Sequence, residues 1–451
     1  MLKGSHILYN VVRFTLVARI LSDQPPISRN PDWKLGETQS PVTGYAGLIA
    51  ILVCAVFVVW AGECTDLSKL AIWDLRKIVG MVFIFLVMAL TDSLIFKSYR
   101  RNFDFSKGNE IDMDARGRIF RRQVSLILCF VLIWPVFLVT NFWFPQFLIF
   151  FYFLAPLILL GSPFYFYLLE KHGNYDTDDD ELIILADWLF RRQGMDERRR
   201  EHLFNLFRGI LVKGFFIPFM VVSCITFWNY WELHAGEALS HSIFSGENTA
   251  LAWSSFFKAT MDLIILVDVT IASLGYLTSC RILDTQFTSV EPTILGWIVA
   301  VACYPPFNIY FESCAWKYAS FELTPDIYVN YPVLSAVMAA AIVVLMSIYC
   351  WSTVVFGLRF SNLTNRGIIT SGPYALVRHP AYASKNLSWW LALIGFMVAT
   401  GKVMFLAIVV LVVINVTYYL RAVTEESHLL REDHYKEYCK RVKWRLFPGL
   451  H

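Results

Sequence analysis

Apolar blocks long enough to cross a bilayer constrain this chain more than any other feature. A span needs about 20 predominantly apolar residues, and the hydropathy rule picks out roughly ten such blocks. They are Tyr45–Ala61, Ile78–Phe96, Val124–Phe142, Gln146–Leu169, Gly209–Trp231, Phe256–Cys280, Thr293–Phe311, Tyr331–Phe356, Leu387–Thr400 and Val403–Leu420. Inside lipid the backbone must satisfy its own hydrogen bonds, so such blocks fold as helices. Only 17% of residues are charged and mean hydropathy is +0.51, where a soluble protein would carry about a quarter charged. The expected fold is all-α: a polytopic integral membrane protein with about ten transmembrane helices. No large soluble domain and no repeat of fixed period is visible. The N-terminus shows no cleavable signal, and Ile7–Ile20 suits a surface-lying helix as well as a packed leader helix.

Charge orients the spans. Lys97, Arg100, Arg101, Arg116, Arg118, Arg121 and Arg122 crowd the segment between spans two and three, and Arg191, Arg192, Arg198, Arg199 and Arg200 that between spans four and five. The connection Trp231–Phe256 holds Glu232, Glu237 and Glu247 without a Lys or Arg. Basic connections stay cytoplasmic, which places both termini inside. Lys69, Arg76 and Lys77 disagree mildly with that arrangement. A net charge of +3 is too small to imply nucleic acid. The nine cysteines form no metal-binding spacing, so no metal site is expected. Cys64 and Cys314 could both face the outside, which leaves a disulfide open. The run Asp176–Glu181 lacks the alternation and glycine of a calcium loop and reads as a solvated loop. Trp228, Trp231 and Trp253 read as interfacial belt residues, and Cys439 as inert.

Chemistry concentrates after Tyr331. The polar run Thr370–Tyr382 is wedged between two spans and contains Tyr374, Arg378, His379, Pro380 and Tyr382. Pro380 suits the first turn of a helix, with His379 at its N-cap. Free N–H groups and the helix dipole there would attract an anion, and Arg378 adds to the attraction. Spans nine and ten form a hairpin around Gly401-Lys402. Equal rise on both arms brings His379 level with about position 424, so Glu425 and Glu426 return to the same membrane face. An anion-binding end thus meets a cation-binding end, among Tyr374, Tyr382, Trp389, Trp390 and Tyr418 or Tyr419. S-adenosylmethionine matches that pattern: a carboxylate for His379 and Arg378, an ammonium for a Glu of the pair, and a sulfonium and adenine for aromatic faces.

Gly372-Pro373-Tyr374, Arg378-His379-Pro380-Ala381-Tyr382, Arg421, Glu425-Glu426, Leu429, Tyr435, Tyr438, Val442, Arg445 and Pro448 together resemble the C-terminal signature of the isoprenylcysteine carboxyl methyltransferase family. Phospholipid methyltransferases share a looser version. The resemblance covers about 358–451 and implies an S-adenosylmethionine-dependent methyltransferase at the cytosolic face, acting on a membrane-embedded lipid or lipidated acceptor. It implies cofactor contacts from Tyr374, Arg378, His379, Tyr382, Glu425 and Glu426. Where the family has Gly two residues after the motif's Tyr, this chain has Ser384.

Sterol reductases resemble the chain in length, span count and the tail Tyr438–Pro448. They bind NADPH, and they usually show an Arg-Asp-Glu where this chain reads Thr424-Glu425-Glu426, which favours the methyltransferase. The expected organisation is therefore 1–330 as N-terminal membrane helices of unassigned role and 331–451 as the catalytic region. Glu425 and Glu426 are the candidate bases. Arg445 is the candidate for reaching cofactor or an acidic acceptor, although the basic tail suits lipid anchoring equally well. Asp92, Asp262 and Asp268 lie inside spans, where carboxylates raise a functional question, with plain interhelical hydrogen bonding as the alternative.

Overall fold

The computed structural model describes residues 42–64, 75–141, 147–191, 195–240, 249–305, 307–308 and 331–449. Helices account for nearly all its regular structure: α1 (Val42–Cys64), α2 (Leu75–Thr91), α3 (Met113–Asn141), α4 (Phe147–His172), α5 (Glu181–Ala186), α6 (Glu197–Ser240), α7 (Thr249–Leu277), α8 (Ile294–Val301), α9 (Pro332–Val354), α10 (Pro380–Thr400), α11 (Phe405–Leu429) and α12 (Asp433–Arg441). Two short strands, β1 (Ser289–Val290) and β2 (Thr364–Asn365), pair antiparallel.

The protein is an all-α membrane protein. Among the described residues, 7 helices are long and apolar enough to cross a membrane. They follow seven of the expected spans. α10 has 21 residues but carries Lys385, Asn386 and Ser388, and α1 has a shorter apolar stretch, Val42–Phe57. The expected span Thr293–Phe311 differs most. Its described part is the 8-residue α8 followed by turns, too short to cross a bilayer. The leader Ile7–Ile20, Cys314 and the Cys64 side chain lie outside the described residues.

α6 and α7 pack together through the centre, and α1, α2 and α9 close around them. Trp228 is not an interfacial residue: it is 1% exposed, with Gly80 of α2 leaving room for its ring. Trp253 is exposed. Lys77, the charge at odds with the topology, is buried and bonded to Asn229 and, at 3.4 Å, to Glu232. It is a paired interior cation and not a loop charge. Of the acidic run, Asp176 and Asp178 are exposed and Asp180 is built in. Asp180 caps α5 through the N–H groups of Leu182 and Ile183 and pairs with buried Arg122, which also holds Glu170 and Tyr175.

The polar connections at one end are stitched together. Asp284 accepts from Arg101 at 2.8 Å, Asn102 at 3.2 Å and Arg359 at 2.6 Å, joining the segments after α2, α7 and α9. Arg366 donates to the carbonyls of Gly275 and Thr278 at 2.7 and 2.9 Å, which neutralises the negative end of α7. Burial pushes its guanidinium down to about 9. The strand pair lies beside this knot, so the end of α7 and the approach to α10 share one base. Removing one partner of a buried ion pair costs roughly 3–5 kcal/mol. Asp284→Ala should therefore lower the thermal midpoint of the detergent-purified chain sharply, measured by intrinsic fluorescence, whereas a substitution of exposed Lys107 should not.

Candidate active site

His379 is the N-cap of α10 and Pro380 its first residue. Gly401, in the left-handed region at φ 66°, ends the helix, and α11 returns from Phe405. The hairpin sets Glu425 and Glu426 opposite His379. Upstream, Gly372 at φ 61° starts a short turn through Ala375. A Cβ there would come within 2.8 Å of Val355, which explains why the approach needs glycine.

Glu426, almost fully buried, gathers an imidazole and two guanidinium groups. His379 Nε2 lies 3.1 Å and Arg378 Nε 2.9 Å from Oε1, and Arg445 Nη2 donates to Oε2 at 2.8 Å. Glu425 Oε1 accepts from the Tyr382 hydroxyl at 2.5 Å and from Arg421 Nε at 3.0 Å. Its Oε2 lies 3.7 Å from His379 Nδ1, so the imidazole sits between both carboxylates. The His379 ring stacks on Tyr382 with centroids 5.2 Å apart, and Tyr418 meets Tyr382 edge-on at 5.2 Å. Trp389 extends the aromatic wall at 5.9 Å from Tyr418.

The tail closes the cluster. The N–H groups of Arg378 and His379 donate to the carbonyls of Trp444 and Arg445 at 3.0 and 2.9 Å. These two donors precede the first turn of α10, and their bonds hold the tail against the N-cap. Arg445 reaches back to Tyr419 as well, its guanidinium 5.5 Å from that ring centroid. Burial pushes the Arg445 guanidinium down, but the hydrogen bond and charge of Glu426 outweigh it, and the group ends above its usual value. Tyr435 and Tyr438 pack the tail helix, with burial pushing both phenols up. Tyr374 stands apart: its ring meets Phe356 at 5.3 Å and its carbonyl accepts from Tyr438. Ser384 bonds back to the Pro380 carbonyl at 2.9 Å, so its hydroxyl is used within the helix.

Arg421, known from the sequence only as a motif residue, proves to be central, and several of its neighbours carry no signal in the sequence. Arg421 is 2% exposed. Besides Glu425 it bonds Asn362 at 2.6 Å and Tyr304 at 3.4 Å, and it lies over the Tyr382 and Tyr304 rings at 5.0 and 5.4 Å. His428 bonds Ser289 at 2.9 Å and lies 3.7 Å from Glu291, tying α11 to β1. Asn362, Tyr304, Ser289 and Glu291 carry no local pattern; only the fold brings them in. The intramembrane carboxylates are partnered. Asp268 accepts from Tyr349 at 2.7 Å and from Thr353, Asp262 lies 2.6 Å from His234, and Asp92 accepts from Thr43 at 3.4 Å.

The donor set fits S-adenosylmethionine. The carboxylates of Glu425 and Glu426 suit an ammonium. Arg378, Arg421 and Arg445 against these two carboxylates leave the cluster one positive charge in excess when His379 is neutral, which suits a carboxylate. The Nε of Arg445 is buried without a hydrogen bond, so a donor remains there. Tyr382, Tyr418 and Trp389 form an aromatic wall beside these charges.

Residues 332–437 match the family described as phospholipid methyltransferase, in accord with the resemblance carried by the C-terminal motifs. No curated protein matches the chain. No solved structure matches it either. The family match points to a membrane methyltransferase and lends no support to a reductase above it.

Contacting charges in one network couple by about 0.5–3 kcal/mol. Glu426→Ala and Arg445→Ala should therefore each loosen the tail, and the double variant should cost less than their sum. Urea titration of the purified chain, with the tail followed by limited proteolysis, measures that coupling.

Proposed function

We propose that this protein is an S-adenosylmethionine-dependent methyltransferase acting on a lipid or lipidated acceptor held in the bilayer. The observation that carries the reading is the clustering of Arg378, His379, Tyr382, Glu425, Glu426 and Arg445 at one end of the α10–α11 hairpin, inside the segment that matches the methyltransferase family. Bound there, the cofactor would supply an electrophilic methyl group on a positively charged sulfur.

The chain's own residues bind and orient. Arg378 and Arg445 hold a carboxylate, and Glu425 or Glu426 exchanges an internal cation for the ligand's ammonium. Stacked Tyr382 and its neighbours shield the sulfonium and exclude water. Fixing two reactants in line is the main source of acceleration for such a transfer. A carboxylate acceptor needs no base, whereas an amine or thiol must lose a proton. Glu425 is the carboxylate with one oxygen off the tightest pairs, 3.7 Å from His379 Nδ1, and we assign it that role. Chemistry belongs to 331–451, although Tyr304, Ser289 and Glu291 from the preceding segment support the site. The positive charge of the connections after α2 and α4 supports a cytosolic orientation for this end and for both termini.

Thermal-shift titration of the detergent-purified chain with S-adenosylhomocysteine and with NADPH tests the assignment. S-adenosylhomocysteine should raise the midpoint, and His379→Ala or Glu425→Ala should weaken its binding at least tenfold, the loss of about 1.4 kcal/mol or more. Stabilisation by NADPH alone would remove the reading.

A further inference from the structure

A second charged site lies away from the hairpin, where the membrane end of α3 meets the turn after α5. Arg118, Arg121, Arg191 and Arg199, outnumbering Asp178 and Asp187, line a cavity of about 250 Å³. That is smaller than the roughly 300–1,000 Å³ of pockets that take drug-sized ligands and suits a compact headgroup. Its charges are incompletely matched. Arg118 is held by Glu170 at 2.7 Å. Arg121 and Arg191, however, share one carboxylate, Asp187, each at 3.6 Å, beyond hydrogen-bond reach. Arg121 Nε and Asp187 Oδ1 are both buried without a hydrogen-bond partner. An unmet guanidinium N–H inside a cavity calls for an acceptor, and phosphate oxygens take guanidinium donors in bidentate fashion.

The surroundings favour a lipid. Phe120, next to Arg121, is 69% exposed, and Trp188, Leu189 and Phe190, on the turn between Asp187 and Arg191, are exposed as well. Large apolar side chains flanking a basic cavity at a span end suit the headgroup level of a bilayer, with rings among acyl chains and arginines at phosphate. We infer that Arg121 and Arg191, held side by side by Asp187, bind the phosphate of an anionic membrane lipid at a site separate from the proposed methyl-transfer centre.

The test uses the full chain in detergent and follows the thermal midpoint. The probes are dioctanoyl phosphatidic acid, dioctanoylglycerol with the same acyl chains and no phosphate, and inorganic phosphate. The phosphatidic acid should raise the midpoint saturably and dioctanoylglycerol should not. Arg121→Gln should raise the half-saturating concentration at least tenfold. Arg191→Gln, whose side chain is 56% exposed and thus tolerant of change, should raise it several-fold without altering the ligand-free midpoint. An equal response to inorganic phosphate at the same concentration overturns the lipid assignment. No response to either phosphate, or a lipid response that Arg191→Gln and Arg121→Gln leave unchanged, overturns the site. S-adenosylhomocysteine binding is expected to persist in both variants, so failure here stays distinct from failure of the methyltransferase reading.

Discussion

Bringing opposite charges together at the end of the α10–α11 hairpin is the interaction on which the functional architecture depends. Two adjacent glutamates at the end of a span would be costly in isolation, because a buried carboxylate without partners loses its solvation. Here Glu426 collects His379, Arg378 and Arg445, and Glu425 collects Tyr382 and Arg421. The hairpin geometry supplies some of these partners and the returning tail supplies Arg445. Main-chain bonds from Arg378 and His379 to Trp444 and Arg445 fix the tail in register. The same arrangement that stabilises the fold holds cationic and anionic groups a few ångströms apart, which is what a zwitterionic ligand requires.

Self-pairing also shapes how such a site would work. Each carboxylate already has internal cations, so a ligand ammonium must compete with arginine and histidine. A ligand carboxylate must take donors that the cluster holds in surplus. The excess positive charge and the unbonded Nε of Arg445 favour the second exchange. The first costs little if each displaced cation finds the incoming carboxylate. A loosely held tail would favour both, since Arg445 enters from outside the hairpin.

Much of this was legible in the sequence because it follows from local periodicity. The apolar blocks announced helices, Pro380 marked the start of α10, and equal rise on both arms of the hairpin brought Glu425 and Glu426 to His379. What could not be read depends on tertiary packing. Trp228 looks like an interfacial residue until α2 is seen to cover it. Lys77 looks like a misplaced loop charge until Asn229 and Glu232 of α6 are seen to hold it. The backbone at Arg378 and His379 looks open until the tail carbonyls of Trp444 and Arg445 are seen to accept from it. Arg421 could be named as a motif residue, but its partners Asn362 and Tyr304 come from distant segments with no pattern of their own. The expected span Thr293–Phe311 is interrupted after Val301 in its described part; hydropathy records apolar composition and not where a turn breaks it.

The central claim is transfer of a methyl group into the bilayer phase. The most direct measurement incubates the reconstituted chain with methyl-tritiated S-adenosylmethionine and a total lipid extract, then counts label in the organic phase. Label should accumulate there with the intact chain and fall to background with Glu425→Ala. An intact, folded chain that binds S-adenosylmethionine yet moves no label into any lipid or lipidated species would contradict the account.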